Sequence, residues 1–211
     1  KMKNLILRGI VVGPVQTNCY FLKNKETAEI LIVDPGAQEE RIEAALAKLG
    51  GKPAGILLTH GHYDHICAAN ELREYYKIPV YAPKTEEKLM TDPMWNLSGA
   101  WSGQPYTVKA DHWLEDGQEE TLAGFSVTVL HTPGHTSGSC CYWLKEEGVC
   151  MSGDTVFCGS CGRTDLPTGS MSQMRDSLHR LFELLPENTQ IYPGHGEETD
   201  AAFEKAHNPY L

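Results

Sequence analysis

Gly55-Ile56-Leu57-Leu58-Thr59-His60-Gly61-His62-Tyr63-Asp64-His65 is the stretch whose reading decides the fold. Its first part is an apolar run that predicts a short buried strand; its second carries three histidines and an aspartate within six positions. Neutral imidazole nitrogens and carboxylate oxygens are the donors that zinc, iron and manganese take. Burying several such groups together without a cation or hydrogen-bond partners is costly. A solvated polar loop would carry the same residue types, but four donors at the mouth of one strand point to a metal site.

Working outward, three more glycine-rich loops each follow an apolar strand. They are His131-Thr132-Pro133-Gly134-His135-Thr136-Ser137-Gly138, Ser152-Gly153-Asp154-Thr155 and Tyr192-Pro193-Gly194-His195-Gly196. Glycine and proline permit a sharp turn that aims one side chain inward. The pattern predicts strands over Leu5–Val12, 19–22, Glu29–Val33, 55–58, 79–81, Glu119–Leu122, 125–130, 139–143, 149–151 and 190–192. Helices are predicted over 38–49, 65–76, 170–185 and 199–207, with Ser170 and Gln173 as a capping box for the third. Residues 83–110, with Trp95 and Trp101, read as a helix plus a mobile insert. Strands gathered in each half, with helices between, predict two sheets packed face to face under helical layers. The ligand loops would then meet at one edge.

Composition narrows the function classes. Over 211 residues the net charge is −10, which argues against nucleic acid or an anionic membrane surface as partner. No apolar stretch approaches membrane-spanning length. Leu5-Ile6-Leu7, broken by Arg8, is too short for a signal peptide, so the expectation is a cytoplasmic protein. The seven cysteines (Cys19, Cys67, Cys140, Cys141, Cys150, Cys158, Cys161) are odd in number and are expected as free thiols. Cys158-Gly159-Ser160-Cys161 lacks the second pair a zinc ribbon needs, and it sits in a glycine-rich loop rather than at a helix start.

Together with the His-rich loop, six further segments carry a resemblance over nearly the whole chain. They are Asn18-Cys19-Tyr20, Val33-Asp34-Pro35-Gly36, Thr132-Pro133-Gly134-His135-Thr136, Gly153-Asp154-Thr155, Gly162-Arg163-Thr164-Asp165 and Asn208-Pro209-Tyr210-Leu211. The sequence resembles the metallo-β-lactamase superfamily, and within it the glyoxalase II (hydroxyacylglutathione hydrolase) branch in a short, stand-alone form. The resemblance implies an α/β (α+β) four-layer αββα sandwich, a single domain over 1–211, without the separate C-terminal helical domain that helps bind glutathione. It implies two divalent metal ions, zinc first, with iron or manganese as alternatives. His60, His62 and His135 would hold one ion, Asp64, His65 and His195 the other, and Asp154 would bridge them. Asp64 would also accept or steer a proton beside a metal-bound hydroxide. Asp34, His131 and Asp165 would stand behind the ligands, Asp34 by hydrogen-bonding the His-rich loop. His112, His179 and His207 fall outside every ligand motif and are expected at the surface.

The implied reaction is attack of the hydroxide on a carbonyl of a small-molecule substrate, most directly a thioester such as an acylated glutathione or another acyl-thiol. A thiolate leaves readily, so no strong acid is needed. Tyr63, Arg163 and the two tryptophans are candidates for the pocket wall. Gly196-Glu197-Glu198 replaces the tyrosine common after the last histidine, which leaves the thiol carrier open. The alternatives are a mononuclear-iron persulfide dioxygenase of the same fold, a lactonase, and a non-catalytic metal-binding module. Whether the protein is a monomer or a dimer is not legible.

Overall fold

Alternate residues along the central strands enter different cores, and this sets the layering. The computed structural model describes residues 2–211. One sheet holds, in spatial order, β1 (Leu5–Val12), β2 (Thr17–Asn24), β3 (Glu29–Val33), β4 (Lys52–Leu57), β5 (Val80–Pro83) and β6 (His112–Leu114). The other contains β7 (Glu119–Leu122), β8 (Phe125–His131), β9 (Cys140–Leu144), β10 (Val149–Gly153), β13 (Gln190–Pro193) and β14 (Thr199–Asp200), in the spatial order β14-β13-β10-β9-β8-β7. Between β10 and β13 lies a small hairpin of β11 (Val156–Phe157) and β12 (Ser160–Cys161).

On β3, Leu31 and Val33 join the core between the sheets, while Ile30 and Ile32 face outward onto Ile42 and Leu46 of α1 (Glu39–Leu49) and Leu72 of α3 (Ala69–Tyr76). On β9, Cys140, Tyr142 and Leu144 face inward; Cys141 and Trp143 meet Met174, Leu178 and Leu181 of α5 (Met171–Leu184). Each sheet is therefore apolar on both faces, and neither outer face is stable without its helices. The result is the expected αββα sandwich. No helix among the described residues is long and apolar enough to cross a membrane.

Strand direction positions the site. β3 and β4 run parallel, as do β10 and β13; β8 and β10 both run antiparallel to β9, so they share a direction. The C-terminal ends of β4, β8, β10 and β13 all deliver their loops to one edge of the sandwich, where ligand sites of open α/β sheets lie.

Several elements depart from expectation. The helix read over 65–76 is two pieces, α2 (Tyr63–Ile66) and α3, because the Ala68 N–H is diverted to Pro35 O at 2.9 Å. β6 was not foreseen; it is three residues long, and Asp111 just before it accepts the Val80 N–H at 2.8 Å. The segment 83–110 does contain a helix, α4 (Glu87–Met90), but the remainder is tied to the body rather than set apart as an insert. Buried Asn96 donates Nδ2 to Tyr106 O (2.7 Å), and Tyr106 donates its hydroxyl to Glu71 (2.7 Å). Residues 199–207 begin as β14 and only then form α6 (Ala201–His207), whose first turn is capped by Asp200 accepting the Phe203 N–H at 2.8 Å. Ser170 caps α5 by accepting the Gln173 N–H, but the expected reciprocal box does not close, since the Ser170 N–H goes to Gly134 O at 2.8 Å. All seven cysteines are free, and Cys158-Gly159 forms the turn of the β11–β12 hairpin.

Candidate metal centre

The four loops bring His60, His62, Asp64, His65, His135, Asp154 and His195 into one cluster. The donor atoms of His60, His62 and His135 lie within 4.8 Å of one another, and so do those of Asp64, His65, Asp154 and His195. Asp154 joins the two groups: its Oδ2 is 3.2 Å from His135 Nε2 and 3.4 Å from His195 Nε2, and its Oδ1 is 3.2 Å from His65 Nε2. Asp64 Oδ2 is 3.1 Å from His195 Nε2 and accepts the Thr17 hydroxyl at 2.9 Å.

The far side of three rings is held by the scaffold. His65 Nδ1 meets Asp34 Oδ2 at 2.8 Å, His135 Nδ1 meets Arg163 O at 2.7 Å, and His195 Nδ1 meets Gln16 O at 3.2 Å. Such contacts leave the opposite nitrogen directed into the cluster. Asp34 acts as foreseen: it also accepts the Thr59 N–H (2.9 Å) and hydroxyl (2.7 Å), fixing the base of the His-rich loop. His131 and Asp165 correct the expectation, since neither hydrogen-bonds any of the seven. His131 Nε2 ties to Ser137 O across its own loop at 2.9 Å, and Asp165 pairs with Arg163 at the surface. His112, His179 and His207 are exposed, as expected.

A test of fit comes from the orphaned atoms. His60 Nε2, His62 Nε2, His65 Nε2 and Asp154 Oδ1 are buried without a hydrogen-bond partner. Each such atom costs about 1–3 kcal/mol if left unsatisfied; His60 Nε2 and His65 Nε2 face the Asp154 carboxylate, His62 presents Nδ1 3.0 Å from His135 Nε2, and together these groups form a donor set for divalent cations. Ionisation agrees. Burial, reinforced by neighbouring histidines, holds His60 well below its ordinary range and His62 at about 3, so both are neutral donors. Burial opposes ionisation of Asp154, yet His65, His135 and His195 outweigh it and keep that carboxyl far below its usual range. His195 loses to burial but is raised to about 9 by Asp154 and Asp64, so occupation of the second site would displace a proton.

Two glycines allow the loops to close. A Cβ on Gly36 would collide with Asp64 O, and one on Gly194 would collide with Asp154 Oδ1. The chain therefore passes where no other residue fits.

Sequence reasoning missed three supports. Glu86, wholly buried, accepts the Gly61 N–H (2.9 Å) and the Thr136 hydroxyl (2.6 Å), clasping the His60/His62 loop to the His135 loop. Asn18 donates its backbone N–H to Gly194 O (2.7 Å) and its side chain to Pro193 O and Gly196 O (3.0 and 2.9 Å), pinning the His195 loop. Thr17 orients Asp64. For Asn18 a signal existed in the Asn18-Cys19-Tyr20 motif; Glu86 had none.

The four-loop donor set, the sandwich and its edge together match one known group. A sequence profile of the metallo-beta-lactamase superfamily covers residues 12–195. The chain belongs to the metallo-beta-lactamase superfamily. Among curated relatives of this superfamily it is 41% identical over 205 residues to the probable metallo-hydrolase YqgX of Bacillus subtilis, covering 97% of this chain and 96% of that one. It is 31% identical over 205 residues to the hydroxyacylglutathione hydrolase GloC of Haemophilus influenzae, covering 96% of each. Among solved structures it resembles BLEG-1, described as a B3 metallo-beta-lactamase (40% identity, TM-score 0.92, covering 98% and 99%), and TTHA1623 in a di-iron-bound form (35% identity, TM-score 0.85, covering 97% and 100%).

A cavity of about 480 Å³ opens over the superfamily's donor cluster. His62, His135, Asp154 and His195 form its floor. Tyr63, Trp101 and Arg163 line it as foreseen, whereas Trp95 does not.

Proposed function

We propose that the protein is a metal-dependent hydrolase that cleaves acyl-thiol thioesters. The observation that carries this reading is the convergence of seven His/Asp donors, in two sets sharing Asp154, beneath one cavity. His60, His62 and His135 would hold one divalent cation, Asp64, His65 and His195 the second, and Asp154 both. Zinc suits this donor set, and so does iron, the metal borne by the related TTHA1623 structure. Bound there, the cations supply an acidified water and polarise a carbonyl oxygen.

The chain's own residues do the rest. Asp34, Gln16 O and Arg163 O keep three imidazoles aimed. Asp64, on the cavity wall and oriented by Thr17, accepts or steers the proton released during attack. The apolar cavity wall limits water around the reacting carbonyl. A thiolate leaving group needs no acid. The likeness to a hydroxyacylglutathione hydrolase supports a thioester. A second reading, β-lactam hydrolysis, has the likeness to BLEG-1 in its favour.

The test is elemental analysis of the purified protein together with thiol release from a thioester panel and turnover of a chromogenic cephalosporin. Thioester turnover with two metals per chain, abolished by chelation, is the expected result. Asp154→Ala should bind fewer metals and lose at least ~10²–10³ in kcat/KM, the scale set by removal of one electrostatic stabiliser from a catalytic site. Full turnover by the loaded Asp154→Ala variant, or cephalosporin turnover alone, overturns the proposal.

A further inference from the structure

The cavity above the metal centre has an unusual charge pattern. Val15, Leu97, Trp101, Phe157 and Leu166 supply an apolar wall. A second cavity of about 410 Å³ adjoins it, since Val15, Tyr63 and Asp64 line both. The charged groups on this second side are acidic, Glu39 and Glu71 beside Asp64. Among the described residues lining either cavity, the only lysine or arginine is Arg163.

Arg163 already pairs with an anionic side chain of its own chain. Its Nε and Nη2 donate to Asp165 Oδ1 and Oδ2, each at 2.7 Å, and its guanidinium lies 5.8 Å from the Trp101 ring centroid. The Nε/Nη2 side of the guanidinium, which grips a carboxylate side-on, is thus already engaged. A carboxylate or phosphate on the arm that leaves the metal centre through the second cavity would find no lysine or arginine among its described lining residues and would meet Glu39 and Glu71. An aliphatic chain, by contrast, is removed from water against the apolar wall, which favours its binding there. The donor residues that line the first cavity, His62, His135, Asp154 and His195, mark the end at which the reacting group sits.

We infer that the substrate is a thioester of an apolar, uncharged acyl group, carried on a thiol that bears no carboxylate or phosphate and tolerates a cation. This rests on the thioester reading and narrows it: the acyl chain lies against Trp101 and Leu166, and the thiol arm extends past Tyr63 toward Glu39 and Glu71. Glutathione, with two carboxylates, fits that arm poorly.

The test compares S-butyryl esters of N-acetylcysteamine (neutral), thiocholine (cationic) and 3-mercaptopropionate (anionic), with S-lactoylglutathione alongside. The neutral and cationic esters should exceed both anionic ones at least tenfold in kcat/KM. Asp165→Asn, which releases Arg163, should raise turnover of the mercaptopropionate ester severalfold and leave the neutral ester unchanged. Trp101→Ala should raise KM for the butyryl esters with little change in kcat. In parallel, non-hydrolysable S-butyl thioethers of the same thiols are titrated onto the metal-loaded protein, read by tryptophan fluorescence. Binding in the stated order without any hydrolysis keeps the ligand class and removes the thioesterase reading. Hydrolysis with the anionic esters equal or preferred keeps the reaction and overturns this inference. Neither binding nor hydrolysis overturns both.

Discussion

Glu86→Gln should change how the protein's stability depends on pH. Burial pushes the Glu86 carboxyl from an ordinary 4.5 up to about 7, against the pull of the Thr136 hydroxyl and the Gly61 N–H. For an acid raised in the folded state, stability is highest below pH 4.5, where both states are protonated. It falls as the pH rises from 4.5 to 7, because the unfolded chain ionises first, and it stays low above 7. At about 1.4 kcal/mol per pH unit the loss reaches roughly 3 kcal/mol. Glutamine retains an oxygen for Gly61 and Thr136 but cannot ionise. The stability gap between Glu86→Gln and the wild type should therefore widen in the variant's favour by roughly 2–3 kcal/mol between pH 5 and pH 8. Urea unfolding of the metal-free proteins, followed by tryptophan fluorescence at both pH values, measures it; titrations common to both proteins cancel. Glu86→Ala separates the bond from the charge. Thr136 keeps its contact with Ser139 at 2.6 Å, but the Gly61 N–H is orphaned, so this variant should fall about 1–3 kcal/mol below Glu86→Gln at every pH. Parallel pH curves for wild type and Glu86→Gln would refute the argument.

Two further outcomes follow from the geometry. Asp34→Asn replaces the carboxylate that receives His65 Nδ1 at 2.8 Å, so metal affinity measured by chelator competition should drop about 10–100-fold with the fold retained; unchanged affinity would deny Asp34 its aiming role. Gly194→Ala drives a methyl into Asp154 Oδ1 and toward His65 Cε1, so the protein should fold yet bind less metal at the Asp64/His65/His195 set, read by elemental analysis; full occupancy would show that the last loop can shift.

The donors and the layers were legible because both are written locally. Each ligand stands just past an apolar strand, and strands apolar on both faces call for helices on the outside. The 65–76 helix was misread because its interruption comes from Pro35, which takes the Ala68 N–H from a separate part of the chain. β6 escaped notice because a three-residue edge strand has too little pattern to show.

By itself, then, the amino-acid order determined two sheets under helices and the edge at which the loops would meet, since periodicity and turn residues act over a few neighbouring positions, while the family resemblance implied the seven donor side chains. Only the tertiary structure decided what aims and surrounds those donors: Glu86 clasping two loops, Asn18 holding a loop 175 residues away, and Asp165 cancelling the one arginine of the cavity wall. A hydrogen bond between distant segments depends on where two backbones come to rest, and no local pattern encodes that distance.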